Sequence, residues 1–231
     1  MTGTVVERLR GGLIVSCQAP QGSPLDDPRM ISVLALTAAE GGAVGVRLNG
    51  PDHVAAVRRL TGLPIIGIDK VETAGSEVYI TPTFAAARGL AESGADLIAL
   101  DATRRRRPGG ELLGELIRRV RGDLGLPVMA DVATEEEGRE AAESGADIVA
   151  TTLCGYTAET SGAALPALDL VERLASRLGV PVICEGGVAS PEQLRRAFDC
   201  GAFAVVVGTA ITGVGRLVRQ FAAAAPRART P

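Results

Sequence analysis

Two phrases alternate along this chain, and their alternation restricts the folds open to it. GLPIIGID (62–69), GLPVMADV (125–132) and GVPVICEG (179–186) each place a Gly-apolar-Pro entry ahead of a short apolar run, the pattern of a strand that opens on proline. Between them stand ESGADLIALDAT (92–103), ESGADIVATTLC (143–154) and DCGAFAVVVGT (199–209), in which a helix ends at Ser-Gly or Cys-Gly and a buried strand follows. GLIVSCQ (12–18) and AVGVRLN (43–49) bring the strands to eight, and helical segments lie at 52–60, 83–93, 110–124, 134–144, 165–178, 191–200 and 215–225.

The strand runs are apolar throughout and do not alternate, so both faces are buried, which belongs to parallel sheets covered by helices. Eight such units averaging about 29 residues predict a closed (β/α)8 barrel, the TIM-barrel form of the α/β class. The expected organisation is one barrel domain over 1–225 and a flexible tail over 226–231, with fraying from Ala222. An open doubly wound sheet is the competitor, but no G-x-G-x-x-G follows the first strand and no G-x-x-x-x-G-K-[ST] occurs.

A net charge of −3 gives no general field for polyanions, so neither nucleic acid nor an anionic membrane is expected as a partner. No apolar run approaches the length of a membrane span. Cys17, Cys154, Cys184 and Cys200 show no paired short spacing and no metal-ligand pattern, and read as reduced thiols of a cytoplasmic protein. Neither a metal nor any other cofactor is implied.

Of the 24 basic residues one is lysine, Lys70, and His53 is the only histidine. Proton carriers are therefore few. Arginine does not release its proton near neutral pH, whereas an ammonium with a depressed pKa does. Lys70 is either a retained functional amine or a leftover surface charge. His53 opens a helix after Asn49-Gly50-Pro51-Asp52 and reads as a surface or capping residue. With one histidine and scattered cysteines, a Ser-His-Asp system cannot be assembled.

In a barrel of this kind the mouth is lined by the C-terminal ends of the strands. Those ends deliver Gln18, Arg47 with Asn49, Asp69 with Lys70, Asp101 with Thr103, Asp131, Thr151 with Thr152, and Glu185. Asp69, Asp101 and Thr103 serve equally well as loop braces. Arg104–Arg107 reads as a solvated or salt-bridged rim, with phosphate attraction as the lesser alternative. Gly186-Gly187 and Gly208-Thr209 follow strands seven and eight, where such barrels often hold phosphate on backbone N–H groups. A phosphorylated small molecule is the expected ligand. Lys70 and Glu185 would approach it from opposite walls, with Arg47 depressing the lysine pKa and stabilising an enolate. Glu185 acts either as a second acid/base or as a salt-bridge partner that orients Lys70.

The segments GGLIVSCQA, GGAVGVRLNG, LPIIGIDKVE with SEVYITPT, DAT ahead of RRP, PVMADVAT, TTLCGYT, VICEGG and VVVGTAIT resemble the N-acetylmannosamine-6-phosphate 2-epimerases, from about Leu9 to Thr212. The resemblance implies a cofactor-independent isomerase of amino-sugar and sialic-acid breakdown that acts on a phosphorylated N-acetylhexosamine and is often a homodimer. It places catalysis on Lys70 and Glu185, substrate binding on Gln18, Arg47 and Asp131, and phosphate binding on the backbone at Gly187, Gly208 and Thr209. One departure stands out: the family continues Ile-Thr-Arg-Pro, its arginine holding the phosphate, whereas Ile211-Thr212 is followed here by Gly213-Val214. Arg216, about one turn on, is the candidate replacement. Two other readings remain: a Schiff-base lyase or aldolase using Lys70 on a keto-sugar phosphate, and a phosphosugar-binding protein without catalysis.

Overall fold

A computed structural model describes residues 4–226. Eight parallel strands, β1 (Leu13–Cys17), β2 (Gly45–Asn49), β3 (Ile65–Ile68), β4 (Leu97–Asp101), β5 (Val128–Asp131), β6 (Ile148–Ala150), β7 (Val182–Glu185) and β8 (Ala204–Val207), follow one another round the ring. The ring closes where β8 pairs with β1, Val206 opposite Ile14. This is the barrel expected from the repeats. Outside it lie α1 (Pro28–Glu40), α2 (Pro51–Arg58), α3 (Phe84–Glu92), α4 (Leu113–Asp123), α5 (Glu135–Glu143), α6 (Leu168–Arg177), α7 (Pro191–Asp199), the short α8 (Thr209–Thr212) and α9 (Val214–Ala224).

Because side chains alternate across a strand, each strand feeds two cores. Ile14, Ile66, Ile68, Leu97, Met129, Ile148, Ile183 and Val206 fill the barrel. Val15, Val46, Leu48, Ile98, Leu100, Val149 and Val205 pack outward against the helices. Both clusters are buried, which is why the runs carry no polar alternation.

The helix starts follow local chemistry. Thr134 and Glu137 cap α5 reciprocally, and the Asp27 carboxylate accepts from the N–H groups of Arg29 and Met30 at the head of α1. Such caps contribute about 1 kcal/mol each. The helix α1 is absent from the periodicity reading, although Asp27-Pro28 is a cap followed by proline at the first helical position. At the other end, Ala222 lies within α9 and is helical, where fraying was expected. The remainder of the expected tail, from 227 on, lies outside the described residues. Among the described residues no helix is long and apolar enough to cross a membrane.

Candidate active site

The floor of the barrel mouth is built on Arg47, which is 1% exposed. From β2 its Nη2 donates to Asp131 Oδ2 at 2.6 Å and its Nη1 to Asp131 Oδ1 at 3.1 Å. Nη1 also donates to Glu185 Oε2 at 2.6 Å, across from β2 to β7. Two threonines at the end of β6 fix these acids. Thr152 Oγ1 donates to Asp131 Oδ1 at 2.6 Å, while Thr151 Oγ1 donates to the Glu185 carbonyl at 2.9 Å and accepts the Glu185 N–H at 3.1 Å. One guanidinium therefore faces two carboxylates in a site largely closed to water. Burial opposes the Arg47 charge, but the two acids outweigh it and hold its pKa up. The excess negative charge has to be relieved. Burial, reinforced by Asp131 and only partly offset by Arg47, pushes the Glu185 pKa up to about 7.

Lys70 follows β3, on the wall opposite β7, and its side chain is exposed in the open mouth. Its backbone is anchored: its N–H donates to Asn49 Oδ1 at 2.9 Å, and it bridges antiparallel to Ile80. Among the described residues no carboxylate bonds the amine. Protein surrounding the amine takes hydration from it, and this lowers its pKa, with the Arg47 charge acting the same way and Glu185 and Asp131 acting against both. The expected cationic neighbour is thus present. The alternative in which Glu185 orients Lys70 by a salt bridge is not what the structure has, since Glu185 bonds Arg47 instead. Arg47 is also more committed than the sequence suggests: its terminal nitrogens hold acids, and only Nε is buried without a partner.

Gln18, at the end of β1, donates from Nε2 to Ser16 Oγ at 2.7 Å, while its Oε1 is buried with no protein partner. An unpaired buried carbonyl costs about 1–3 kcal/mol, so a substrate donor would relieve it. Beside it, Gly187 and the Gly208-Thr209 step follow the adjacent strands β7 and β8. Among the described residues the N–H groups of Gly187, Gly208 and Thr209 have no backbone acceptor. Gly187 has φ +73°, and a Cβ there would come within 2.5 Å of Leu165 Cβ; only glycine suits both demands. At Gly213 a Cβ would lie 2.4 Å from the Thr209 carbonyl oxygen, so this backbone has no room for the family's arginine. Arg216 is exposed on α9, and its guanidinium makes no hydrogen bond within the described residues.

Other polar strand ends prove to be braces. Asp101, fully buried, accepts from the Thr103 N–H and hydroxyl and from Arg105 Nη2 at 2.7 Å. Arg104 pairs with Glu140, and Arg107 is buried with Nη1 on the Pro82 carbonyl. Of the two readings of His53, surface or capping, the structure is at odds with the first: its side chain is 12% exposed, and Nδ1 lies 2.8 Å from the Asn49 carbonyl at the start of α2, behind the residue that anchors Lys70. Tyr79 was missed. It belongs to an aperiodic stretch, VETAGSEVYITPT, and nothing in that pattern places it in the mouth.

Comparison with known proteins agrees with this geometry. The sequence model of the family described as "Putative N-acetylmannosamine-6-phosphate epimerase" matches residues 31–227. A protein of Synechococcus elongatus bearing the corresponding 2-epimerase name is 52% identical over 221 residues, covering 95% of each chain. One of Thermosynechococcus vestitus is 50% identical over 217 residues, covering 94% of each. The solved N-acetylmannosamine-6-phosphate 2-epimerase of Clostridium perfringens superimposes with a TM-score of 0.93 at 38% identity, over 97% of this chain and 98% of that one. A thiamine phosphate pyrophosphorylase of Pyrococcus furiosus, at 16% identity and a TM-score of 0.61, shares the fold alone. With a single amine facing an arginine-bound pair of acids across a closed barrel, and with these matches along nearly all of its length, the chain belongs to the N-acetylmannosamine-6-phosphate 2-epimerase family.

Proposed function

We propose that this protein interconverts N-acetylmannosamine 6-phosphate and N-acetylglucosamine 6-phosphate by removing and returning the proton at carbon 2 of the open-chain sugar. The observation that carries the reading is the opposition of Lys70 and Glu185 on strands three and seven, with the amine pKa lowered and the acid pKa raised. In one direction neutral Lys70 takes the proton from one face of carbon 2 and protonated Glu185 supplies one to the other face. In the reverse direction the roles exchange. The enolate oxygen lies toward the buried Arg47, whose Nε is the one guanidinium nitrogen left without a partner. Asp131 holds Arg47 in place. Gln18 offers its unpaired amide end to a sugar hydroxyl. The free N–H groups at Gly187, Gly208 and Thr209 take the phosphate, a grip that here relies on backbone where relatives add an arginine.

Such a pair works while it shares one exchangeable proton, so activity against pH is a bell. Its acid limb belongs to Glu185, moved up from the ordinary carboxylate range, and its alkaline limb to Lys70, moved down from the ordinary lysine range. The bell is therefore narrower than two unperturbed groups would give. Replacing Glu185 by Gln is expected to remove the limb that belongs to Glu185, leaving only the titration of Lys70, and to lower kcat by about 10²-fold or more, measured as kcat from pH 5 to 10. An acid limb that persists unchanged in the variant would refute the assignment of Glu185 as a proton carrier.

The protein is further proposed to be cytoplasmic, in keeping with four cysteines left as free thiols, and to work as a homodimer. Among the residues of α9 none is buried, and Val214, Val218 and Phe221 are 47%, 60% and 77% exposed. Their spacing puts them on one side of the helix. An apolar stripe of this kind is covered when a second copy docks on it. Phe221→Glu is expected to halve the mass seen by light scattering; an unchanged mass, or a monomeric wild type, would exclude α9 as the contact.

A further inference from the structure

The segment between β3 and α3 is wedged into the mouth as a strap. Ile80 bridges Lys70, its carbonyl accepts the Asp101 N–H at 3.0 Å, and the Val71 N–H donates to the Tyr79 carbonyl at 2.9 Å. The Thr81 N–H donates to the Asp69 carbonyl at 2.8 Å, so residues 79–81 fill the gap between the ends of β3 and β4. Thr81 has φ 44°, the only positive φ at a non-glycine position among the described residues. Its hydroxyl, fully buried on the Ala99 carbonyl at 2.6 Å, holds that conformation. Strain of this kind persists only where the surroundings impose it.

What the strap places in the mouth is Tyr79. Its ring packs, partly buried, on the apolar cluster that fills the barrel, while its hydroxyl makes no hydrogen bond within the described residues. Burial raises its pKa, with the charges of Arg105, Asp101, Asp131 and Arg47 acting on it, so the phenol stays a neutral donor. Behind it Arg105 is fixed, Nε donating to Thr103 Oγ1 at 3.0 Å and Nη2 to Asp101. This wall, at β4, stands opposite β8 in the eight-strand ring. A sugar tethered by phosphate between β7 and β8, with carbon 2 at Lys70 and its carbonyl toward Arg47, turns the remaining substituent of carbon 2 toward β4. For the proposed substrate that substituent is the acylamino group. Its carbonyl oxygen needs a donor and its methyl an apolar surface, and Tyr79 presents both.

We infer that Tyr79, braced by the strap and by Arg105, forms the subsite that recognises the acylamino group on carbon 2; this rests on the epimerase reading above. Tyr79 is then a specificity residue and takes no part in proton transfer.

The test measures dissociation constants by calorimetry for wild type and Tyr79→Phe, with N-acetylmannosamine 6-phosphate and with mannose 6-phosphate, which carries a hydroxyl in place of the acylamino group. The variant is expected to bind the first sugar roughly tenfold or more weaker and the second within about twofold of wild type. Equal losses for both sugars, or none for either, would overturn the subsite. Binding needs no turnover, so a wild type that discriminates between the sugars without epimerising them would leave the subsite standing and sink the catalytic reading instead.

Discussion

Replacing Lys70 by Ala should abolish epimerisation and stop solvent deuterium from entering carbon 2 of the epimer whose proton faces Lys70, while leaving the fold intact. The lysine is exposed, and its amine is bonded to no carboxylate within the described residues, so its loss falls among surface substitutions worth about 0.5 kcal/mol or less. The backbone N–H that meets Asn49 Oδ1 is retained in the variant. Catalysis has no comparable reserve. A positioned acid/base typically contributes about 10²–10⁴-fold, and no second lysine exists to substitute. Lys70→Arg should be as inactive as Lys70→Ala, because a guanidinium keeps charge and length but does not release its proton. That pair of variants separates proton transfer from charge alone. Borohydride added with substrate should leave the mass of the Lys70 peptide unchanged, because no step requires a Schiff base; a reduced adduct would point to lyase chemistry. Deuterium exchange at the wild-type rate from both epimers in Lys70→Ala would overturn the assignment outright.

The barrel was legible because repetition is a local signal. A Gly-apolar-Pro entry, an uninterrupted apolar run and a Ser-Gly helix end each depend on a few consecutive residues, and eight apolar runs in order leave one closed arrangement. The polar strand ends were legible for a related reason: burial tolerates polar groups poorly, so Arg47, Asp131 and Glu185 at the ends of apolar runs signal a site. Which of them bond to one another was not legible. The Arg47 pairs span 84 and 138 residues of sequence, and no spacing rule relates positions on strands two, five and seven until the ring is closed. The same holds for Tyr79, which reaches the mouth only because Ile80 is clasped between Lys70 and Asp101. The surface reading of His53 fails because its helix start looks exposed in sequence, whereas the Asn49 carbonyl and Asp26 lie close to its ring. Gly213 was read as the loss of a cation. The structure adds that the backbone itself has closed over that position, so the change extends beyond one side chain.

The largest effect on stability is expected from Arg47. Substituting Met keeps most of the buried volume but leaves Asp131 and Glu185 enclosed without their shared cation. Breaking a buried pair in this way costs about 3–5 kcal/mol, compared with the ~5–15 kcal/mol that holds a typical domain together. The pH dependence gives the cause away. Already in the wild type the Glu185 pKa is raised from 4.5 to about 7. The folded state therefore holds a proton that the unfolded chain releases, and this contribution is fully present below the unfolded value and is lost as pH climbs through the folded one. Without Arg47, whose charge works against the rise, the Glu185 carboxyl is driven further in that direction. The gap in unfolding free energy between wild type and Arg47→Met should accordingly be widest near pH 8 and shrink toward pH 5, followed by denaturant melts across that range. Adding Asp131→Asn removes one of the two stranded charges, so the double variant should be more stable than Arg47→Met alone at pH 8, a non-additivity expected of groups in one network. A gap below about 1 kcal/mol, or one that does not change with pH, would mean that Arg47 does not hold the floor of the mouth together and that the raised Glu185 acidity has another origin.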